Sequence, residues 1–405
     1  MKNSRVNFLL LNFGHFLDHY FMLVFASAAA LTLSQDWNMS YAELIPYATP
    51  GFVAFAVFAL PAGWIADKWS REGMMIIFFI GIGCASILAA FSSTPLELAG
   101  SLFLVGAFAA IYHPVGLSLV IQNRDKTGMA LAINSVFGNL GVASAALITG
   151  FLIDQLSWKA AFYGPGFLSI ILGLVFWKLT YQSAQTLQDK VKKQPATEQD
   201  YCPQKSWRKI MAIILFTTAI GGLVFQSTTF GLPKIFDEKL LFSDNTASDI
   251  GALVFIVFSL AAVAQLIVGY LIDRIVVRYI FMSIAAIQII SFALMPQLNG
   301  WSALFASMIF MLAVFGQIPI NDVLIGRIAR GTWRSRIFAL RYLVSFSVTA
   351  IAIPFISWIY GSWGFDLLFV LLSFAASFVF LAVMLLPKRI GAEQIELEEQ
   401  LSVKD

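Results

Sequence analysis

The chain has 405 residues, of which 59% are hydrophobic and 12% are charged, and its formal net charge is +3. This composition excludes a soluble globular domain and indicates a protein that lies largely within a lipid bilayer. The small positive excess requires no nucleic-acid partner, because basic residues beside an anionic inner leaflet account for it.

Twelve apolar stretches, each long enough to cross a hydrocarbon core of about 30 Å as a helix, follow one another along the chain. They lie at about 7–32, 44–66, 74–92, 98–122, 128–152, 160–182, 209–231, 250–272, 279–296, 301–325, 335–360 and 365–387. Helices satisfy their backbone polar groups within each such segment, so the fold class predicted is an all-α membrane protein with twelve transmembrane helices. With Lys2 and Arg5 inside, only three of the 26 basic residues (Lys159, Lys234 and Lys239) fall on the outer side, which predicts that both termini are cytoplasmic.

The spans form two sets of six around one polar, charged segment. We predict an N-terminal six-helix bundle at 1–182, a cytoplasmic linker at 183–208, a C-terminal six-helix bundle at 209–388 and an acidic cytoplasmic tail at 389–405. Cys84 lies inside a span and Cys202 in the linker, so no disulfide framework is expected.

The two sets also share sequence motifs. The segment GWIADKWSR at 63–71 returns as GYLIDRIVVR at 269–278. Pro114 recurs as Pro319, and Trp158 recurs as Trp363, each about 205 residues later. Three signatures in one register indicate a duplicated unit, which is how many secondary transporters are built.

Twelve spans in two halves, with G-x-x-x-D-[KR] in both equivalent loops, resemble the major facilitator superfamily along essentially the whole chain. The motifs VGAFAAIYHPVG at 105–116 and FGNLGVASA at 137–145 are similar to those of its fosmidomycin-resistance branch. The resemblance implies two pseudo-symmetric halves, alternating access, a central cavity lined by spans one and four, and, from the branch, export.

In that superfamily the loop motif is a conformational latch rather than a substrate site. The glycines would allow close helix approach, and the aspartates would meet the positive N-terminus of a neighbouring helix. Loop charges that serve only topology are the plainer alternative, and they leave the repeated glycine and aspartate unexplained. The gating residues predicted are Gly63, Asp67, Arg71, Gly269, Asp273 and Arg274.

All three histidines of the chain fall within predicted spans. Helical spacing puts Asn12, His15, Asp18 and His19 on one face of span one, and His113 lies at a similar depth in span four. A carboxylate at this depth costs about 2.5–3.5 kcal/mol unless it finds a partner. A histidine, with an ordinary pKa near 6.5, exchanges protons close to physiological pH. We therefore predict proton coupling by Asp18, His15, His19 and His113.

Two other interpretations of this cluster stay open. An aspartate–histidine clamp could simply pack the bundle, and two histidines four residues apart with a carboxylate could hold a transition metal. Because no thiolate or second acidic cluster supports metal transport, no metal site is expected.

Pro114 and Pro319 each remove one backbone hydrogen bond and are predicted to kink spans four and ten. Polar side chains within the spans are predicted to line the substrate cavity. These are Asn12, Tyr112, Asn134, Asn139, Gln226, Gln317, Asn321, Asp322 and Arg341. Either Asp322 and Arg341 pair near the inner gate, or Arg341 binds an anionic substrate.

The sequence thus predicts a proton-coupled secondary transporter of a small polar or anionic solute in a bacterial inner membrane, with export favoured. An importer of an organic anion or of a carboxylate-type metal chelate is the alternative within this class. A channel or a scaffold is the alternative outside it. An enzyme is not expected, nor is any cofactor, and a monomer is expected.

Overall fold

The computed structural model describes residues 2–122, 127–186, 207–240, 246–328 and 333–387, and all regular structure in these ranges is helical. The first long helices are α1 (Lys2–Ala28), α2 (Thr49–Lys68), α3 (Arg71–Ala90), α4 (Pro95–Ala109), α5 (Thr127–Gln155) and α6 (Trp158–Thr186). They are followed by α7 (Trp207–Lys239), α8 (Ala247–Ile272), α9 (Val277–Leu294), α10 (Gly300–Ile328) and α11 (Trp333–Met384).

Short helical segments extend or connect several of these helices. A π-helix at Ala29–Leu33 and a turn at Ser34–Asp36 continue α1, while Tyr41–Leu44 and a 3₁₀ turn at Ile45–Ala48 lead into α2. Further segments lie at Tyr112–Gly116 (π), Leu117–Ile121 (α) and Met295–Gln297 (3₁₀).

Eleven of the described helices are long and apolar enough to cross a membrane. The last of these, Leu343–Met384, has 42 residues and would measure about 60 Å at 1.5 Å per residue, twice what one crossing needs. Gly364 interrupts it with φ 73° and ψ −173°, a conformation that glycine adopts readily. The segment therefore holds two crossings that meet at Gly364, which agrees with the twelve predicted spans.

Serine and threonine caps begin several helices just where the apolar sequence starts. Ser40 and Glu43 form a reciprocal capping box, the backbone N–H of Gly73 donates to Ser70 at the start of α3, and Thr94 caps α4. These caps satisfy backbone donors that have no partner within their own helix.

The chain divides into two compact units. The first consists of Met1–Lys192, Thr229–Ser259 and Ala350–Ser362, and the second consists of Lys193–Thr228, Leu260–Thr349 and Trp363–Asp405. The predicted linker at 183–208 and tail at 389–405 lie for the most part outside the described residues. The proposed boundaries of the two halves stay a prediction.

Small residues let the helices of the first unit approach one another closely. A β-carbon at Gly141 of α5 would collide with the backbone of Phe16 in α1, and one at Gly106 of α4 would collide with the backbone of Gly51 in α2. Helices in a membrane associate through this kind of close packing, because lipid provides little hydrophobic driving force between them. The second unit is held by an apolar cluster that includes Phe281, Ile320 and Val383.

Span four is interrupted at the predicted proline. Helix α4 ends at Ala109, and the π-helical turn Tyr112–Gly116 contains Pro114. Proline lacks the N–H that would continue the α-helical ladder, so the wider π turn absorbs the break. Helix α10, in contrast, continues through Pro319 to Ile328, and a kink at that proline stays a prediction.

Candidate functional site

The three histidines come together where α1 meets the π turn of span four. The ring centroid of His15 lies 4.8 Å from that of His19 and 5.4 Å from that of His113, and His19 and His113 are 5.6 Å apart. The Nε2 atoms of His15 and His19 are 3.1 Å apart, which is hydrogen-bond distance. The structure therefore places in one cluster the residues that the sequence assigned to proton coupling.

Asp18 completes this cluster. One of its carboxylate oxygens, Oδ2, lies 3.4 Å from Nε2 of His113, and its side chain is 1% exposed. Neither carboxylate oxygen accepts a hydrogen bond of ordinary geometry from the described residues. A buried carboxylate without hydrogen bonds is unstable as an anion unless a cation lies beside it, so Asp18 requires either a bound proton or a positively charged neighbour.

Asn134 of α5 fixes the position of His15. The backbone carbonyl of Asn134 lies 2.8 Å from Nδ1 of His15, and its side-chain amide donates to Asn12 at 2.9 Å and to the Tyr112 hydroxyl at 2.8 Å. A carbonyl oxygen only accepts, so Nδ1 of His15 carries a hydrogen and donates it. In neutral His15 the Nε2 lone pair then faces His19, whose own Nε2–H donates to it.

Tyr112 covers the other side of His15. The two rings stack with centroids 4.8 Å apart and planes 14° from parallel, and the tyrosine hydroxyl donates to the backbone carbonyl of Leu11 at 2.7 Å. Asn12, Tyr112 and Asn134 are all buried. In this structure they therefore support the histidines, and lining a substrate cavity stays a prediction for them, as it does for the half-buried Asn139.

The glycine motif of span five brings α5 against this cluster. A β-carbon at Gly138 would lie 2.6 Å from Cε1 of His15, closer than non-bonded carbon atoms approach. In the sequence, residues 137–145 are notable only as a motif that resembles one branch of transporters. Asn134 and Gly138 lie one helical turn apart, so both are on the face of α5 that contacts His15.

A second group of polar side chains lies in the second compact unit. The carboxamide oxygen of Gln317 accepts from Gln288 at 3.1 Å, its nitrogen contacts the Thr217 carbonyl at 3.5 Å, and the Thr217 hydroxyl donates to Asn321 at 3.2 Å. These buried side chains satisfy one another across α7, α9 and α10. Gln226 is also buried, and no described residue bonds its side-chain nitrogen.

Asp322 and Arg341 form an ion pair. Nη1 of Arg341 lies 2.5 Å from Oδ1 of Asp322, and the two side chains are 11% and 40% exposed. The structure thus contains the pairing that was one of the two interpretations from sequence. Binding of an anionic substrate by Arg341, the other interpretation, stays a prediction.

The two copies of the loop motif differ. Nη2 of Arg71 binds Oδ1 of Asp67 at 2.8 Å across the loop after α2, and a β-carbon at Gly63 would lie 3.2 Å from Cβ of Pro114. The prediction of a close helix approach at Gly269 is wrong for the residues that the structure describes, because a β-carbon there would meet none of their atoms within 4 Å.

The charged residues of the second copy also lie differently. Arg274 stacks on the Tyr270 ring at 3.5 Å and donates to the Tyr270 carbonyl, and Asp273 is exposed. The gating roles of both copies stay predictions.

A family model described as the Major Facilitator Superfamily matches residues 11–316, about three quarters of the chain. The chain belongs to the Major Facilitator Superfamily. It is therefore a multi-pass membrane protein of a transporter family and not an enzyme, as predicted. Membership in this superfamily rests on the family match, and the narrower fosmidomycin-resistance branch stays a prediction.

Curated relatives in this superfamily match a shorter part of the chain. A gallate transporter of Pseudomonas putida is 30% identical over 160 residues, and a 4-hydroxybenzoate transporter of the same species is 26% identical over 160 residues. A tetracenomycin C resistance and export protein of Streptomyces glaucescens is 26% identical over 149 residues. These matches cover 39%, 39% and 35% of this chain and 36%, 36% and 28% of the relatives, so the chain spans about a third of the length of the curated relatives it matches.

Solved superfamily structures match the fold along nearly the whole chain. The crystal structure of a D-xylose–proton symporter has a TM-score of 0.72 at 12% identity and covers 95% of this chain and 98% of its own. A nucleoside transporter has a TM-score of 0.73 at 16% identity, with coverages of 93% and 99%. At this identity the likeness shows the twelve-helix fold alone.

Proposed function

We propose that the chain is a secondary active transporter that moves a small organic anion, of the aromatic carboxylate class, by alternating access coupled to protons. The observation that carries the proposal is the buried carboxylate of Asp18 at 3.4 Å from His113, within a cluster of three histidines. Membership in the Major Facilitator Superfamily supports transport, and the gallate and 4-hydroxybenzoate transporters among the relatives support the substrate class.

The chemistry of the cluster suits a coupling ion that is a proton. Asp18 is stable in the membrane interior either as a neutral acid or as an anion beside a protonated His113. His19 and His15, which share a hydrogen bond between their ring nitrogens, extend the cluster from this pair toward Asn134. A proton that binds here changes the charge of a buried site, and that change biases the equilibrium between conformations.

Location and orientation follow from the same proposal. We place the chain in a bacterial-type inner membrane with both termini cytoplasmic and expect it to act as a monomer. Export stays the favoured direction from the branch resemblance, and the match to the tetracenomycin C export protein supports it. Import of an organic anion or of a carboxylate-type metal chelate is the second candidate, and the names of the gallate and 4-hydroxybenzoate relatives leave the direction of transport open.

A flux experiment in proteoliposomes tests the proposal and separates the two directions. The vesicles would be given a pH jump of either sign with radiolabelled gallate or 4-hydroxybenzoate outside. Accumulation driven by an acidic exterior indicates symport of the import type, and accumulation driven by an acidic interior indicates antiport of the export type. A protonophore should abolish either response.

Two results would overturn the proposal. A scaffold would move neither compound under any gradient, and a channel would equilibrate them without counterflow of unlabelled substrate. Flux that ignores the pH jump but shows counterflow would retain transport and remove proton coupling.

A further inference from the structure

We propose that His15, His19, His113 and Asp18 form a binding site for a divalent transition-metal ion of the Zn²⁺ type. This inference goes beyond the proposed function, because binding of a metal requires no transport of an organic anion. It also differs from the prediction made from sequence alone, in which no metal site is expected because no thiolate or second acidic cluster accompanies the two histidines and the carboxylate of span one.

Two of the distances between donor atoms match those around a single ion. Zinc binds imidazole nitrogen at about 2.0–2.1 Å in tetrahedral geometry, which places neighbouring ligand atoms about 3.3–3.4 Å apart. Nε2 of His15 and Nε2 of His19 are 3.1 Å apart, and Nε2 of His113 lies 3.4 Å from Oδ2 of Asp18. One ligand atom from each of the three histidines can be chosen so that all lie within 4.8 Å of one another. Small side-chain rotations would therefore bring the three histidines around one ion, with Asp18 beside His113 as the fourth ligand.

The surroundings of His15 prepare its Nε2 atom to bind a metal. Histidine ligands commonly donate the N–H of their other ring nitrogen to a carbonyl or carboxylate, which fixes the tautomer and the direction of the ring. Nδ1 of His15 does this with the Asn134 carbonyl at 2.8 Å, and stacking on Tyr112 holds the plane of the ring. A metal would take the place of the hydrogen that His19 donates to His15.

The environment of Asp18 is separate evidence for a cation at this site. Its side chain is 1% exposed, both carboxylate oxygens lack a hydrogen bond from the described residues, and Oδ2 faces His113. In its ionised form a buried carboxylate in this condition requires a cation beside it, and a divalent ion bound by three neutral imidazoles and one carboxylate leaves a single net positive charge. The side chain of His113 is 20% exposed and His19 is partly exposed, so neither imidazole is fully enclosed by protein.

Metal binding to the purified full-length chain tests the proposal without any need for transport. The protein must carry no polyhistidine tag, because the chain has only three histidines and all of them belong to this cluster. Titration with Co²⁺ should give the intense visible absorption of a tetrahedral site at one ion per chain, and Zn²⁺ should displace it. X-ray absorption of the Zn²⁺-loaded protein should show the scattering pattern of three imidazoles.

Single variants assign the ligands. Replacement of a ligand should weaken affinity by at least the ~10–100-fold that loss of a supporting partner typically costs, so His15→Gln, His19→Gln, His113→Gln and Asp18→Asn should each do so. Asp36→Asn, which changes an exposed carboxylate at the end of the same span, should leave the affinity unchanged.

Absence of stoichiometric binding in the wild-type protein would overturn the site, as would scattering from fewer than two imidazoles. Undiminished affinity in the folded histidine variants would do the same. The spectrum of the wild-type protein decides the matter even where a variant fails to fold. Proton-driven flux is measured separately, with a chelator present, and its result does not depend on metal binding. Failure of the metal site is therefore distinguishable from failure of the proposed function.

Discussion

Gly138 faces the imidazole of His15 so closely that a β-carbon there would lie 2.6 Å from Cε1 and 2.7 Å from Nε2. The glycine thus lets α5 pack on α1 while Asn134, one turn earlier, holds Nδ1 of the same ring. One helix face therefore sets both the position and the tautomer of His15. The motif in span five serves the histidine cluster through contact, although it contains no chemically reactive group.

The first prediction concerns Gly138→Ala. The added methyl group must displace the His15 ring or separate the two helices, and overpacking of this kind costs about 1–3 kcal/mol. We expect a lower melting temperature of the purified protein and slower proton-driven flux. Gly100→Ala is the matched control, since a β-carbon at Gly100 meets no atom within 4 Å. Equal melting temperatures and rates for both variants would show that Gly138 does not position His15.

Much of the fold could be predicted from sequence because hydrophobic length and polar interruption decide where spans lie. The turn at Gly364 falls between the predicted stretches at 335–360 and 365–387, and Pro114 does interrupt span four. The grouping of His15, Asp18 and His19 followed from helical spacing, and His113 joined them on the basis of depth.

Other features depend on contacts between spans that spacing within one span does not reveal. Asn134 forms hydrogen bonds with His15, Asn12 and Tyr112, which spacing within span five does not indicate, and its place in a substrate cavity stays a prediction. Gly269 matches Gly63 in sequence, but among the described residues a close neighbour, Pro114, is found for Gly63 and none for Gly269. The motif is present in both halves of the sequence, but the contacts of its glycine differ between the two copies.

The second prediction concerns the ion pair of Asp322 and Arg341. If the pair serves the structure, Arg341→Gln and Asp322→Asn should each destabilise the protein, and the double variant should recover part of the loss. The coupling free energy expected from the cycle is about 0.5–3 kcal/mol, measured by thermal or denaturant unfolding. If Arg341 instead contacts an anionic substrate, Arg341→Lys should weaken binding of 4-hydroxybenzoate, because a planar fork is replaced by a point charge. Loss of binding in every variant that changes Arg341, with unchanged unfolding, would favour that role.

The third prediction concerns the loop after α2. The ion pair between Asp67 and Arg71 is exposed, with side-chain exposures of 66% and 44%, so it contributes only about 0–1 kcal/mol to stability. A role in the conformational equilibrium is a different matter, because that equilibrium responds to differences between states. Asp67→Asn should therefore slow turnover in flux assays and leave substrate affinity within a few fold. Lys68→Gln, in the same loop, serves as the control, and a normal rate in Asp67→Asn would remove the latch assignment.

The last prediction tests the coupling role of Asp18. Asp18→Asn holds the side chain in a neutral form, so it should abolish accumulation driven by a pH gradient while exchange of labelled for unlabelled substrate continues. Exchange needs the conformational change but no net movement of protons. His113→Gln removes the group that lies 3.4 Å from Asp18 and should change the pH dependence of transport without eliminating it. A purely structural clamp makes a different prediction: both variants would lose stability, and accumulation and exchange would fall together. Measuring both fluxes and the melting temperature of each variant separates the two cases, and normal gradient-driven accumulation in Asp18→Asn would exclude the aspartate as the proton carrier.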